Sequence, residues 1–141
     1  MKVAIDSGAV RHTINPKDLP SGSDITPNTN GKHFVGADGG FIERYGSCKT
    51  IMEGECGRAG CEWQAADVTK ALHSVSTTCG SPDGPGKYDV LFNNREGVIV
   101  PPGVVERILA TVKPLARYKR EGGLYVADMS LSGFTRQGEK R

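Results

Sequence analysis

Val3-Ala4-Ile5-Asp6-Ser7-Gly8-Ala9 is the stretch on which the fold turns. Over residues 2–6, Val3 and Ile5 alternate with their neighbours in the period-two pattern of a short strand. Gly8 breaks that pattern. An acid therefore stands where a strand stops, followed by a hydroxyl and a glycine. Two such carboxylates held face to face, about 3 Å apart, cannot both ionise. One would keep its proton and donate it to a peptide carbonyl, while the other activates a water. Gly8 lets two backbones approach closely, and Ser7 can hydrogen-bond across the junction. The triplet also fits an ordinary turn after a strand, where Asp, Ser and Gly all belong.

Working outward, residues 9–14 predict a second strand with Val10, His12 and Ile14 on one face. Residues 15–32 are rich in Pro, Ser, Asp, Asn and Gly and predict a long loop. Two short strands, 33–35 and 41–45, flank Gly36-Ala37-Asp38-Gly39-Gly40 and predict a hairpin with a glycine-rich tip. Strands follow at 47–52 and 62–68, separated by a polar turn at 53–60. Ala71-Leu72-His73-Ser74-Val75-Ser76 reads as a strand end running into a helical turn. A punctuated turn at 81–86 precedes a strand at 88–92, a hairpin-like turn at 93–97 and a strand at 98–100, which stops at Pro101-Pro102. Val104, Val105, Ile108, Leu109 and Val112 fit a helical stripe, although their β-branching also permits a strand. Pro114 would end a helix there. Residues 124–129 predict the last strand.

The chain has 141 residues, which suits one domain, with 37% apolar and 6% aromatic residues. Gly at 19 and Pro at 8 favour short strands and tight turns over long helices. A net charge of +2 argues for neither a nucleic-acid partner nor an anionic membrane. Basic residues gather over 113–120 and 136–141, which reads as a solvated face and a polar tail. No apolar run reaches the length of a membrane span, and Asp6 interrupts any signal-peptide pattern. The expectation is a soluble, intracellular, cytoplasmic protein. Because residues 1–5 already read as strand, the chain opens inside an element, as a fragment of a longer polyprotein would.

Four cysteines, Cys48, Cys56, Cys61 and Cys79, offer one loose pair at 56 and 61. Zinc sites usually show tighter paired spacing. Free thiols in a reducing compartment are the favoured reading over a disulfide or a zinc site. His12, His33 and His73 lie in different segments without ligand spacing. No metal and no cofactor is expected.

Ala4 to Ala9 resembles the active-site strand and turn of retroviral and retrotransposon aspartic proteases. Gly36-Ala37-Asp38-Gly39-Gly40-Phe41-Ile42 looks like that family's flap, a hairpin that closes over bound peptide. Ala71 to Ser76 resembles the Leu-Leu-Ser-Val-Ser segment of copia-type retroelement polyproteins. Asp67-Val68, Val90, Phe92 and Gly123-Leu124-Tyr125-Val126 follow the same order, so the resemblance spans about residues 3–129. It implies a mainly β fold, a small closed barrel with one short helix, over 1–129, followed by a basic tail at 130–141. It implies an aspartic endopeptidase acting as a homodimer, each copy supplying one Asp, with peptide or polyprotein substrates bound as an added strand. Carried over by position, Asp6 is the catalytic acid/base, and Ser7 and Gly8 complete its turn. Ala9, Gly36, Ala37, Asp38, Gly39 and Gly40 would contact the substrate.

The sequence departs from the family at His73, where an apolar residue is preferred, and at Ser74, which replaces the glycine of the retroviral version. The strand that precedes the active-site strand in retroviral members has no counterpart ahead of Val3. Asp67, Asp83 and Asp89 are the candidates for a second carboxylate from the same chain. None lies in a second Asp-Ser/Thr-Gly context. The alternative function is an inactive relic of the same fold or a peptide-binding module.

Overall fold

The computed structural model describes residues 1–27, 34–35, 41–42, 44–55 and 57–134. It is mainly β, with two short α-helices. Among the described residues the strands are β1 (Val3–Asp6), β2 (Thr13–Ile14), β3 (Thr26–Pro27), β4 (Phe34–Val35), β5 (Phe41–Ile42), β6 (Arg44–Gly54), β7 (Gly57–Ala66), β8 (Ala71–Ser74), β9 (Asp89–Phe92), β10 (Gly97–Val100), β11 (Lys119–Glu121) and β12 (Leu124–Val126). The helices are α1 (Val75–Cys79) and α2 (Val104–Leu109).

Six strands form one sheet in the order β1-β8-β2-β7-β6-β3. β1 and β3 are its two ends, and no pairing closes them into a barrel among the described residues. β1 runs parallel to β8 and β2 runs parallel to β7, whereas β2 opposes β8. The two parallel pairings join segments far apart in sequence. The β6–β7 hairpin is the longest ladder, pairing Cys48 with Trp63 and Thr50 with Cys61.

The predicted polar turn at 53–60 is much tighter than its composition suggested. β6 runs to Gly54 and β7 starts at Gly57, because cross-strand pairing outweighs the weak strand preference of those glycines. The predicted strand at 9–14 shrinks to Thr13–Ile14, since the preceding residues are taken up by the turn after Asp6. The loop expected at 15–32 contains a 3-10 turn, Pro16–Asp18, capped by the Asn15 side chain, and then β3. β3 lies against Gly46, where φ is +147° and a side chain would collide with the Thr26 carbonyl. The β6–β7 register also slips at this point, between Arg44 and Gly46. The predicted 33–45 hairpin is present as β4 pairing with β5, Phe34 opposite Ile42. Its tip, Gly36 to Gly40, lies outside the described residues.

Inside the sheet, Ile14, Cys61, Trp63 and Ala71 form the core cluster, with Leu19 and Met52 packed against it. Trp63 is 1% exposed, and its indole N–H donates to the Thr50 hydroxyl at 2.8 Å. That bond satisfies the one polar atom that burial of Trp63 would otherwise strand. Cys48, Cys61 and Cys79 are free thiols. Burial, reinforced by Glu62, pushes the Cys61 thiol up to about 11.

The C-terminal third is two hairpins and α2. β9 pairs with β10 and β11 with β12. Residues 104–109 are a helix rather than a strand. Its start at Gly103 has no side-chain cap of its own, but Asp89 in β9 accepts from the Val105 N–H at 2.9 Å. The last predicted strand, 124–129, is shorter, and its partner β11 was not anticipated. No described helix is long and apolar enough to cross a membrane.

Candidate functional site

Asp6 is the final residue of β1, and its carboxylate folds back over its own turn. Asp6 Oδ1 accepts from the Gly8 N–H at 2.7 Å. A Cβ at Gly8 would stand 3.3 Å from that oxygen, so any larger residue would crowd the carboxylate. The Ala9 N–H points back at the Asp6 carbonyl at 3.4 Å. Asp6 is partly buried, whereas Ser7 and Gly8 are exposed. The turn is thus presented outward, with its acid held from behind.

What lies behind it is β8 and the start of α1. In the parallel ladder Ile5 stands opposite His73 and Asp6 opposite Ser74. Ser74 is fully buried and every polar atom of it has a partner. Its hydroxyl caps α1 by accepting from the Thr77 N–H at 3.1 Å and lies 3.1 Å from the Ser76 hydroxyl. Its carbonyl accepts from the Thr78 hydroxyl at 2.8 Å. Its N–H donates to His12 Nδ1 at 3.0 Å. The Thr77 hydroxyl then donates to the Val10 carbonyl at 3.1 Å, which fixes the far side of the Asp6 turn.

His12 and His73 are half-buried beside Trp63. Their ring centroids are 4.9 Å apart, and His73 stacks on the indole at 5.2 Å and 26°. His73 Nε2 is 2.9 Å from Met52 Sδ. Burial, and secondarily the charge of His73, lowers His12 to about 4. Burial also lowers His73. At neutral pH both rings are therefore uncharged. His73 packs against the core by stacking on the Trp63 indole.

The rival carboxylates have other surroundings. Asp89 caps α2. The Asp83 N–H donates to the Ser81 hydroxyl at 3.3 Å within an exposed turn. Asp67 lines an open depression of about 450 Å³ together with Asn15, Pro16, Lys17, Ile25 and Tyr45, and Asp6 is not part of it. No group of three or more His, Cys, Asp or Glu among the described residues is arranged to hold a metal ion.

The C-terminal hairpins approach the Asp6 strand. A Cβ at Gly97 in β10 would meet the Phe92 ring at 2.7 Å and the Ile5 side chain at 3.6 Å. A Cβ at Gly123 would meet Val10 at 2.6 Å. Arg120 pins β11 by donating to the Gly80 carbonyl and, at 2.8 Å, to that of Gly122. Burial, then a hydrogen bond with Cys79, pushes the Tyr125 hydroxyl up to about 12.

Of the sequence-predicted site residues, Asp6, Ser7, Gly8 and Ala9 form one turn, and Gly36 to Gly40 lie outside the described residues. The support shell of His12, Ser74, Ser76 and Thr77 was not legible as such. The serine and threonine run at 74–78 is its only local signal. No family model, curated protein or solved structure gives a match to this chain.

Proposed function

We propose that the chain is an aspartic endopeptidase that works as a homodimer in the retroviral-type arrangement, with one Asp6 from each copy. One carboxylate activates a water and the other, protonated, donates to the scissile carbonyl. No covalent intermediate forms and no cofactor takes part. The substrate is an extended peptide, and by resemblance a retroelement polyprotein, lying against the two Asp6 turns.

The observation that carries this reading is the Asp6 turn itself. Its acid ends a strand and is tied by the Gly8 N–H, with a tight fit of 3.3 Å for any Cβ at that position, while Ser7 and Gly8 are exposed where a second copy can meet them. A second support is the apolar surface left uncovered in the later part of the chain, where Phe92, Ile99 and Leu115 are among the large apolar residues exposed after Gly80.

Two measurements test the proposal. Sedimentation should show a concentration-dependent dimer, since a strict monomer cannot assemble the pair of acids. A peptide-library digest should show cleavage with an acid-to-neutral optimum, abolished by Asp6→Asn with the fold retained. Equal cutting by the substituted protein rules the endopeptidase out. The alternative, a non-catalytic peptide-binding module, predicts peptide capture by a monomer unaffected by Asp6→Asn.

A further inference from the structure

The bond between His12 and Ser74 can exist in only one protonation state. His12 Nδ1 accepts from the Ser74 N–H, so its own proton sits on Nε2. An imidazolium has two donors and no acceptor. Protonating His12 would therefore set two N–H groups against each other and leave a buried backbone donor without a partner, which costs stability. Ser74 is the ladder partner of Asp6, and through Thr77 it also holds the Val10 carbonyl. A single ring nitrogen thus stands behind both sides of the Asp6 turn.

The groups around His12 offer little to offset a charge. From β8 comes His73, whose Nε2 faces Met52 Sδ in β6 and whose own charge would oppose a second one. From β7 comes Trp63 at a ring distance of 6.1 Å, with Cys61 in the same core. Glu62 on β7 and Lys49 on β6 are exposed, away from that core. Arg11, adjacent in sequence, is cationic and donates to the Val10 carbonyl. On β1, Asp6 is occupied by the Gly8 N–H.

We propose that His12 is a positioning residue: its neutral imidazole fixes the Ser74 amide, and through it the β8–β1 register that presents Asp6, so that proton uptake by His12 releases the Asp6 turn and sets the acid limit of function. This rests on the reading of Asp6 as the catalytic carboxylate. The native state binds the His12 proton less readily than the unfolded chain does. The resulting stability is complete above the ordinary histidine value of 6.5 and is lost as pH falls towards about 4.

The test uses wild type, His12→Asn and Asp6→Asn. Asparagine presents an oxygen near the Nδ1 position that accepts a hydrogen bond and takes up no proton in this range. The chain has one tryptophan, and it packs against both histidines, so its emission reports the site. In wild type, the Ser74 amide resonance and Trp63 emission should change together with His12 protonation. In His12→Asn, the acid transition should move down by about one pH unit, and the acid limb of the cleavage profile should move with it. A Ser74 amide indifferent to His12 protonation overturns the proposal, even if the substituted protein fails to fold. Coincident acid limbs for wild type and His12→Asn also overturn it. Absence of cleavage in every protein sinks the endopeptidase reading instead, while the Ser74 and Trp63 titrations still decide whether His12 holds the turn.

Discussion

Residues 1–80 and 81–134 share one chain but are held by different forces. Every buried residue among those described lies between Thr13 and Gly80. There the sheet closes over Trp63, Ile14 and Ala71, and even the buried hydroxyls of Ser74 and Ser76 find each other. Beyond Gly80 the apolar content is no lower, yet Leu115 and Leu131 are almost fully exposed. Polar pins join it to the first region: Arg120 on the Gly80 carbonyl, and the Lys87 N–H on the Cys79 carbonyl at 2.9 Å. Pins specify a position, but they contribute far less than burial, since a net hydrogen bond stabilises by only about 1 kcal/mol. The difference teaches that the first region buries its own core, whereas the second leaves its apolar surface exposed.

The contrast can be broken most severely at Trp63. Trp63→Ala should cost roughly 3–5 kcal/mol in a denaturant titration, because it empties a fully buried site and orphans the Thr50 hydroxyl. A cost near zero would mean that the sheet region is not the stable unit. Arg120→Ala should weaken the second region alone. Loss of a charged donor is worth about 1.5–3 kcal/mol, and it should show as faster amide exchange in β11 and β12 with β6 and β7 unchanged. Exchange that rises equally in both regions would show that they open as one.

Asp89→Ala should be milder still, about 1 kcal/mol, with the loss of helical order confined to 104–109. The smallest effect on monomer stability should come from Leu115→Ser, within about 0.5 kcal/mol because the side chain is already exposed. The same substitution should nevertheless reduce self-association in sedimentation if a second copy covers this surface. An unchanged sedimentation profile would place the partner surface elsewhere. Thiol chemistry sharpens the comparison from the other side. Cys61, held up to about 11, should alkylate at pH 8 more slowly than an unperturbed thiol, since only the thiolate reacts.

Much of this was legible locally. The alternation of Val3 and Ile5 followed by Asp6-Ser7-Gly8 set both the strand and its end. The passage from Ala71 through Ser76 read correctly as strand into helix because Ser74 is a natural cap. The hairpin of β9 and β10 followed from short apolar runs around a polar turn. The limits of β6 and β7 did not, because their glycine-rich ends have no strand preference of their own and are extended only by each other. The 104–112 stretch suited helix and strand alike; it is helical over Val104–Leu109, where Asp89 from β9 accepts from the Val105 N–H.

By itself, the order of residues determined where an acid would end a strand and which neighbours would be small enough to let its carboxylate fold back. Those are effects of adjacent residues, carried by alternation and by the absence of a side chain at Gly8. Only the tertiary structure decided that β1 would lie parallel to β8, and that the His12 ring would meet the Ser74 amide across 62 positions. Contacts at that separation depend on which strands share a sheet, and on burial that strips water from the groups involved and obliges each to find a partner. No local pattern of residues encodes that choice.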